Sequence, residues 1–282
     1  MIEGILLKLF VIIQGLGAAS GLVYRNSHIY VVADDMPYFY AYNINNRQQA
    51  KYELKTVVPI SEMKRGDKLD LESLIYHKGK LIGLGSGSKY NRNEIHIVDF
   101  ITKQTLRFDL SKTYHQIRNR LEIDEKDFNI EGFQYHKGKT YLFNRGNGKN
   151  NLNAIITFEG LPHESELNEL KIIRIELPKI NNHLATFSDA VIEKNKIYYT
   201  ASIEAESTIE KDGEIKESIL GVIDLKYFKV ENFKIIANNQ KIEGLTILKK
   251  TSKFLTFLVS EDNDDNSKES KIYQLTVTRD LK

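Results

Sequence analysis

The chain has 282 residues, of which 41% are hydrophobic and 28% charged, and its 40 Lys and Arg against 38 Asp and Glu give a net charge of +2. This near balance argues against a dedicated nucleic-acid binder, which carries a strongly basic face. Because cysteine is absent, disulfide bonds, thiolate catalysis and cysteine zinc sites are excluded. The 15 Tyr and 13 Phe favour β-strands. No segment approaches the roughly 20 apolar residues of a membrane span.

The first predicted element is a strand over residues 4–13, GILLKLFVII. A secretory signal peptide is the alternative, because an apolar run is followed by small residues. Against it, the charge ahead of the run is the acidic Glu3, and Lys8 interrupts the run. We therefore prefer a strand and, with it, a cytoplasmic rather than a secreted or periplasmic protein.

Five units follow, and each begins with a small or acidic residue, a small residue, a hydrophobic residue and then a strand. These starts are Ser20-Gly21-Leu22, Glu72-Ser73-Leu74, Glu131-Gly132-Phe133, Asp189-Ala190-Val191 and Glu243-Gly244-Leu245. They recur at intervals of 52, 59, 58 and 54 residues. A second and a third strand follow in every unit, and a fourth in the first four units. We expect no helix between them.

Four short strands repeated at this interval are typical of a β-propeller blade. We predict an all-β, five-bladed β-propeller as a single domain over residues 1–282. Its blades span about 20–68, 70–128, 129–187, 188–240 and 241–282. The fifth unit lacks a fourth strand, and the strand at residues 4–13 would complete it and close the ring without an open sheet edge. A six-bladed ring would need a blade that the sequence does not contain.

The pentapeptide YHKGK occurs twice, each time between the first and second strands of a unit. Its Lys-Gly pairs, at residues 78–79 and 137–138, predict tight hairpin turns, since Gly tolerates a positive φ. His77 and His136 could be metal ligands, but exposed hairpin histidines are the preferred interpretation. Alternating strand direction also puts these hairpins at the end of the ring opposite the predicted site.

The predicted site lies at one mouth of the channel, where first strands begin and second strands end. Four acids converge there: Glu72, Glu131, Asp189 and Glu243. Uncompensated carboxylates repel one another, so a cation, protonation or basic partners must balance them. Calcium suits a ring of carboxylate and carbonyl oxygens without sulfur, and we predict these four residues as its ligands. In the alternative, the acids cap turns or pair with Arg92 and Arg145.

Two Gly-rich loops end second strands on the same face, GLGSGSKYNR at residues 83–92 and NRGNGKNN at residues 144–151. Exposed backbone N–H groups, hydroxyls and arginines can bind phosphate or carboxylate. The predicted ligand- or anion-binding residues are Ser86, Ser88, Arg92, Arg145 and Asn147. Neither loop is a Walker loop, and no G-x-S-x-G motif indicates a nucleophilic serine.

Two further charged segments are interpreted as solvated loops. Residues 261–269, EDNDDNSKE, imitate a calcium loop but lack the Gly and the terminal Glu of an EF-hand at the required spacing. Residues 204–218, EAESTIEKDGEIKES, form a long charged hairpin that could act as a lid over the mouth.

The segments LESLIYHKGKLIGLGSGSKYNR and FNIEGFQYHKGKTYLFNRGNGKNNLNAII resemble an uncharacterised bacterial β-propeller family of unknown function. ASGLVYRNSHIYVVADDMPYFY resembles its first blade. The resemblance covers most of the chain, and it supports the fold and the position of the site but not a reaction. More distantly, the E-G-L and E-S-L repeats resemble calcium-centred propellers, namely esterase-like phytase relatives and calcium-activated nucleotidases. That likeness implies metal ligation by the four acids and phosphate contacts by Arg92 and Arg145, but Ser20 stands where an acid would be expected.

Three functions are consistent with these features. The first is a metal-dependent hydrolase of phosphate esters, with calcium as cofactor and a small or phosphorylated ligand. The second is a non-catalytic binding module for a sugar, an acidic ligand or a peptide. The third is a scaffold with a purely structural centre, since propellers serve all three purposes.

Overall fold

Five antiparallel sheets stand around a central channel in the computed structural model, which describes residues 7–17, 19–62, 67–205, 214–262 and 268–281. The innermost strands contact one another in cyclic order, so the ring is closed. The predicted five-bladed β-propeller is confirmed.

Strands run from the channel outwards in each of the first three blades. The first blade consists of β2 (Ala19–Arg25), β3 (His28–Ala33), β4 (Tyr38–Asn43) and β5 (Gln49–Glu53). The second consists of β6 (Leu71–His77), β7 (Lys80–Gly85), β8 (Glu94–Asp99) and β9 (Gln104–Asp109). The third consists of β10 (Ile130–His136), β11 (Lys139–Asn144), β12 (Ala154–Glu159) and β13 (Lys171–Arg174).

The last two blades each carry an additional feature. The fourth blade consists of β15 (His183–Glu193), β16 (Lys196–Ala205), β17 (Glu214–Asp224) and β18 (Val230–Asn238), and the short β14 (Lys179–Ile180) pairs with β15 on its inner side. The fifth consists of β19 (Lys241–Lys250), β20 (Phe254–Asp262), β21 (Glu269–Thr278) and the N-terminal β1 (Lys8–Gln14).

Strand β1 closes the ring, as the sequence predicts. It pairs antiparallel with β21 from Lys8 opposite Gln274 to Gln14 opposite Glu269, and so becomes the outermost strand of the fifth blade. The fully buried side chain of Ile13 joins the hydrophobic cluster between the fifth and first blades. Residues 4–6 of the predicted strand lie outside the described residues.

The core is divided among the blades. Five hydrophobic clusters lie one at each interface between neighbouring sheets. Middle strands such as β7 and β11 are buried on both faces, whereas the outer strands β5 and β9 are largely exposed. The blades therefore hold together by face-to-face packing of apolar strands, and the polar channel contributes little to the core.

The expectation of no helix between blades is wrong at one place. Helix α1 (Ser111–Leu121) connects the second and third blades, and short 3-10 turns cover Ile60–Glu62 and Glu125–Asp127. Tyr114 and Ile117 of α1 are fully buried against the cluster between these two blades. A stripe of so few apolar residues in a highly charged segment is a weak periodic signal. No helix among the described residues has the length and apolar character to cross a membrane.

The two YHKGK segments form the predicted hairpin turns. Lys78 and Gly79 have φ values of 45° and 83°, and Lys137 and Gly138 have values of 50° and 84°. Positive φ at both central residues is the signature of a type I′ turn. In β6 the turn end is far from Leu71, which pairs with the last residue of β7 at the other end of the strand. The turn histidines therefore lie away from the channel mouth described below.

The charged segments 204–218 and 261–269 are described only in part. Strands β16, β17, β20 and β21 account for their ends, while residues 206–213 and 263–267 lie outside the described residues. The lid and calcium-loop interpretations fall on those residues.

Candidate functional site at the channel mouth

One end of the channel opens into a cavity of about 180 Å³, called the mouth below, which is lined by polar and charged side chains. Six lining residues carry carboxyl groups: Asp34, Asp70, Glu72, Glu131, Glu243 and Asp262. Five are cationic: Lys68, Lys89, Arg92, Arg145 and Lys241. The near balance of charge means that pairing between these side chains decides the chemistry of the mouth.

In four of the five blades, a β-bulge in the inner strand places one side chain in the lining of the mouth. The pairing register shifts at Ser20 in β2, at Glu72 in β6 and at Glu131 in β10. In β19 the shift includes Glu243. A bulge adds one unpaired residue to a strand and re-aims its side chain. The repeat therefore supplies one residue that lines the mouth in each of the first, second, third and fifth blades.

In the fourth blade, the register shift in β15 falls at Ser188, so the predicted equivalence of Asp189 with the other acids is wrong by one residue. A shift of one position turns a strand residue to the other face. The carboxylate of Asp189 instead accepts the backbone N–H groups of Ala190 at 2.7 Å and Leu245 at 2.8 Å. Burial raises its pKa well above the usual aspartate range, although these two hydrogen bonds oppose the shift. Asp189 thus links the fourth and fifth blades and does not line the mouth.

Arg145 joins the third and fourth blades through a buried ion-pair network. Its Nη1 donates to Glu131 Oε1 at 3.3 Å, and its Nη2 donates to Glu204 Oε1. Its Nε donates to Thr186 Oγ1 at 3.4 Å. Arg145, Glu131 and Glu204 are all buried. The guanidinium therefore compensates two carboxylates whose burial without a partner would be strongly destabilising.

Lysine side chains compensate other carboxylates around the mouth. Lys241 Nζ lies 2.9 Å from Glu243 Oε1 and 3.2 Å from Asp262 Oδ2. Burial raises the pKa of Glu243 well above its usual range, and the nearby Lys241 opposes this rise. Lys68 Nζ lies 2.5 Å from Asp34 Oδ2. Each of these carboxylates therefore has a cationic partner.

The Gly-rich loop of the second blade folds onto Asp70. Arg92 Nη1 donates to Asp70 Oδ2 at 2.8 Å and to Ser88 Oγ at 2.9 Å, and the Ser86 hydroxyl donates to Asp70 Oδ2. Burial raises the pKa of Asp70, while Arg92 and Ser86 lower it. Of the five predicted ligand- or anion-binding residues, Ser86 does not line the mouth. The other four do: Ser88, Arg92, Arg145 and Asn147.

Glu72 differs from the other carboxyl groups of the mouth. Among the residues that the structure describes, its side chain has no hydrogen-bond or ion-pair partner. Burial raises the pKa of Glu72 well above its usual range, and the carboxylates of Glu131, Asp70 and Glu243 raise it further. The negative potential that favours a proton at this position also favours a cationic group placed against it.

The predicted calcium ligands do not assemble into a cage. Within the described ranges, no group of three or more His, Asp or Glu side chains is placed to hold a metal ion. Calcium takes roughly six to eight oxygen ligands. Glu131 and Glu243 are bound by cationic side chains and Asp189 by backbone N–H groups. Only Glu72 of the predicted four offers an unengaged carboxyl group, so calcium binding by these four residues would require the other three to exchange their present contacts for the ion.

Several lining residues are absent from the site predicted from the sequence, among them Lys68, Asp70, Asn129 and Lys241. A signal for them exists, because polar and apolar residues alternate in KLDLE at 68–72, NIE at 129–131 and KIE at 241–243. Alternate residues of an extended chain share one face. The polar residues ahead of each bulged acid therefore face the mouth with it.

The sequence matches the family model described as a family of unknown function (DUF6929) over residues 15–277. No curated protein matches the sequence.

Three solved structures show the similarity in fold. Glutaminyl cyclase from Myxococcus xanthus has 10% identity and a TM-score of 0.54, with 98% of this chain and 100% of that chain covered. A luciferin-regenerating enzyme has 10% identity and a TM-score of 0.51, with 94% of each chain covered. A GH43 β-1,3-galactosidase has 12% identity and a TM-score of 0.52, with 93% of this chain and 57% of that chain covered. At these identities the likeness shows the fold alone.

Proposed function

We propose that this chain, which belongs to the DUF6929 family of unknown function, binds a small polar ligand at the mouth with Glu72 as a contact. One observation carries the proposal. Every other carboxyl group that lines the mouth has a cationic partner, whereas Glu72 has none among the described residues. Even a partly buried carboxyl group without a partner is costly. A ligand that donates a hydrogen bond or brings a positive charge removes that cost.

The dimensions of the mouth support a small ligand. Its volume of about 180 Å³ is below the roughly 300–1,000 Å³ of pockets that hold drug-sized molecules. Its lining offers charged groups, hydroxyls and amides but no large apolar surface. Such a lining favours a ligand held by hydrogen bonds and charge.

Metal-dependent hydrolysis of phosphate esters is the second candidate, and the calcium prediction belongs to it. The presence of Ser88, Arg92 and Arg145 in the lining supports this candidate, because arginine and hydroxyl groups bind phosphate. Both arginines already bind carboxylates, so a phosphate would have to compete with these ion pairs. For this reason, ligand binding through Glu72 ranks first.

The test compares the thermal unfolding of the wild type, Glu72→Gln and the control Glu53→Gln, whose side chain lies on the exposed outer strand β5. L-alanine, glucose, inorganic phosphate and calcium chloride are added separately at about 10 mM, which reveals dissociation constants in the millimolar range. We expect L-alanine or glucose to raise the Tm of the wild type and of Glu53→Gln, but not that of Glu72→Gln.

Two results would overturn the first candidate: no shift with any compound, or equal shifts in the wild type and Glu72→Gln. The second candidate has its own readout. Calcium-dependent hydrolysis of p-nitrophenyl phosphate that is lost with a chelator and in Glu131→Gln would favour the hydrolase.

A further inference from the structure

We infer that the ligand of the mouth is a small zwitterion whose cationic nitrogen contacts Glu72 and whose anionic group contacts Lys89. The inference rests on the proposed function, because it names the class of ligand for the same cavity.

Most charged side chains around the mouth are paired with one another. Four of its five cationic side chains form ion pairs with carboxylates of the protein: Lys68, Arg92, Arg145 and Lys241. Within the described part of the chain, Lys89 has no such partner, and neither does Glu72. One negative and one positive group therefore remain for a ligand, which matches a molecule that carries both signs of charge.

Neighbouring carboxyl groups determine the electrostatic potential at Glu72. The surrounding carboxylates raise its pKa, so the potential at this position is negative. A ligand ammonium group benefits from the same potential and restores the charged form of Glu72. An anionic group at this position would be repelled.

The amide of Asn147 provides a further polar contact. Asn147 lines the mouth and is only 6% exposed, and its Oδ1 has no hydrogen-bond partner among the described residues. Unpartnered buried polar atoms are rare in native proteins. This acceptor, independent of the charges, suits an N–H or O–H donor of the ligand.

The different exposure of Lys89 and Glu72 determines which end of the ligand lies deeper in the mouth. Lys89 is exposed at the rim, whereas Glu72 is half-buried in the channel. The cationic end therefore enters first and the anionic end stays near the solvent. The small volume of the mouth favours compounds of amino-acid size over larger zwitterions.

A matched set of probes tests the inference by ligand-observed NMR. L-alanine, β-alanine and γ-aminobutyrate carry both charges at increasing separation, and propylamine, propionate and propionamide carry one charge or none. We expect one zwitterion to bind the wild type at least about tenfold more tightly than propylamine, propionate or propionamide, because hydrogen bonds to charged groups are stronger than those between neutral groups. Glu72→Gln should weaken zwitterion binding about tenfold. Lys89→Gln should weaken it by about two- to fivefold, as expected for an exposed ion pair.

The possible outcomes distinguish failure of the zwitterion inference from failure of the proposed function. If propylamine binds as tightly as every zwitterion, and Glu72→Gln weakens it, then the inference fails and the proposed function stands. The same holds if propionamide binds best and depends on Glu72. If none of the six compounds binds the wild type, both fail. Glu72→Gln keeps the size of the side chain and Lys89 is exposed, so both variants should fold, and their far-UV circular dichroism verifies this.

Discussion

Replacement of Arg145 by methionine should be among the most damaging single changes at the mouth. Arg145 Nη1 and Nη2 bind Glu131 and Glu204, and all three side chains are buried. Methionine keeps most of the side-chain length but removes the guanidinium from two buried carboxylates. Removal of one partner from a buried pair costs about 3–5 kcal/mol. With about 2.1 cal/mol/K of unfolding entropy per residue over 282 residues, a loss of about 4 kcal/mol lowers the Tm by about 7 °C.

Urea and thermal unfolding of the wild type and Arg145→Met measure this loss. The control is Lys171→Met, since Lys171 pairs at 3.8 Å with Glu169 where both side chains are exposed, and such pairs contribute at most about 1 kcal/mol. The double variant Arg145→Met/Glu204→Gln should regain part of the loss, because one uncompensated charge is removed. A loss for Arg145→Met no larger than that for Lys171→Met would refute the assignment of Arg145 as the cation that compensates these buried carboxylates.

Three further predictions concern other parts of the molecule. Folding raises the pKa of Glu72, so protonated Glu72 adds stability at low pH that is lost as the pH rises through its folded pKa. In urea unfolding, Glu72→Gln should therefore gain stability relative to the wild type as the pH rises. A difference in unfolding free energy that does not change with pH would contradict this. A chain that begins at Gly15 lacks β1 and exposes the edge of β21, so it should melt earlier and self-associate during gel filtration; an unchanged Tm would show that β1 is dispensable. Gly138→Ala should lower the free energy of unfolding by about 1 kcal/mol, because φ is +84° and an L residue is strained there. No steric clash adds to this cost, since a Cβ at this position meets no atom within 4 Å. An unchanged free energy of unfolding in urea would contradict the backbone cost.

Most of the fold can be predicted from the repeat in the sequence. The intervals between units and the missing fourth strand of the last unit predict five blades and the role of β1, because each blade needs a full set of strands to cover its neighbours. Helix α1 escapes prediction because Tyr114 and Ile117 are a sparse apolar pattern within SKTYHQIRNRL. Its burial depends on two blades that are distant along the chain.

The mouth is harder to predict than the blades. The acids of β6, β10 and β19 occupy the bulged positions that the repeat predicts. In β15 the sequence S-D-A at residues 188–190 places the acid one residue after the bulge, which falls at Ser188. The local sequence gives no sign of which residue is bulged, because that depends on pairing with β16. The buried pairs of Arg145 and Lys241 likewise depend on contacts between blades. The sequence thus reveals that charge balance is required but not which carboxyl group remains unpaired.

The central claim is that Glu72 is an unpaired carboxyl group available to a ligand, and an NMR titration tests it most directly. The carboxyl carbon of Glu72 is observed in protein labelled with ¹³C-glutamate and assigned by its absence in Glu72→Gln. We expect a titration midpoint well above the usual glutamate range. We also expect the best-bound zwitterion to lower this midpoint, because an ammonium group favours the charged carboxylate. A midpoint in the ordinary glutamate range that no probe compound changes would show that Glu72 is not an unpaired carboxyl group available to a ligand.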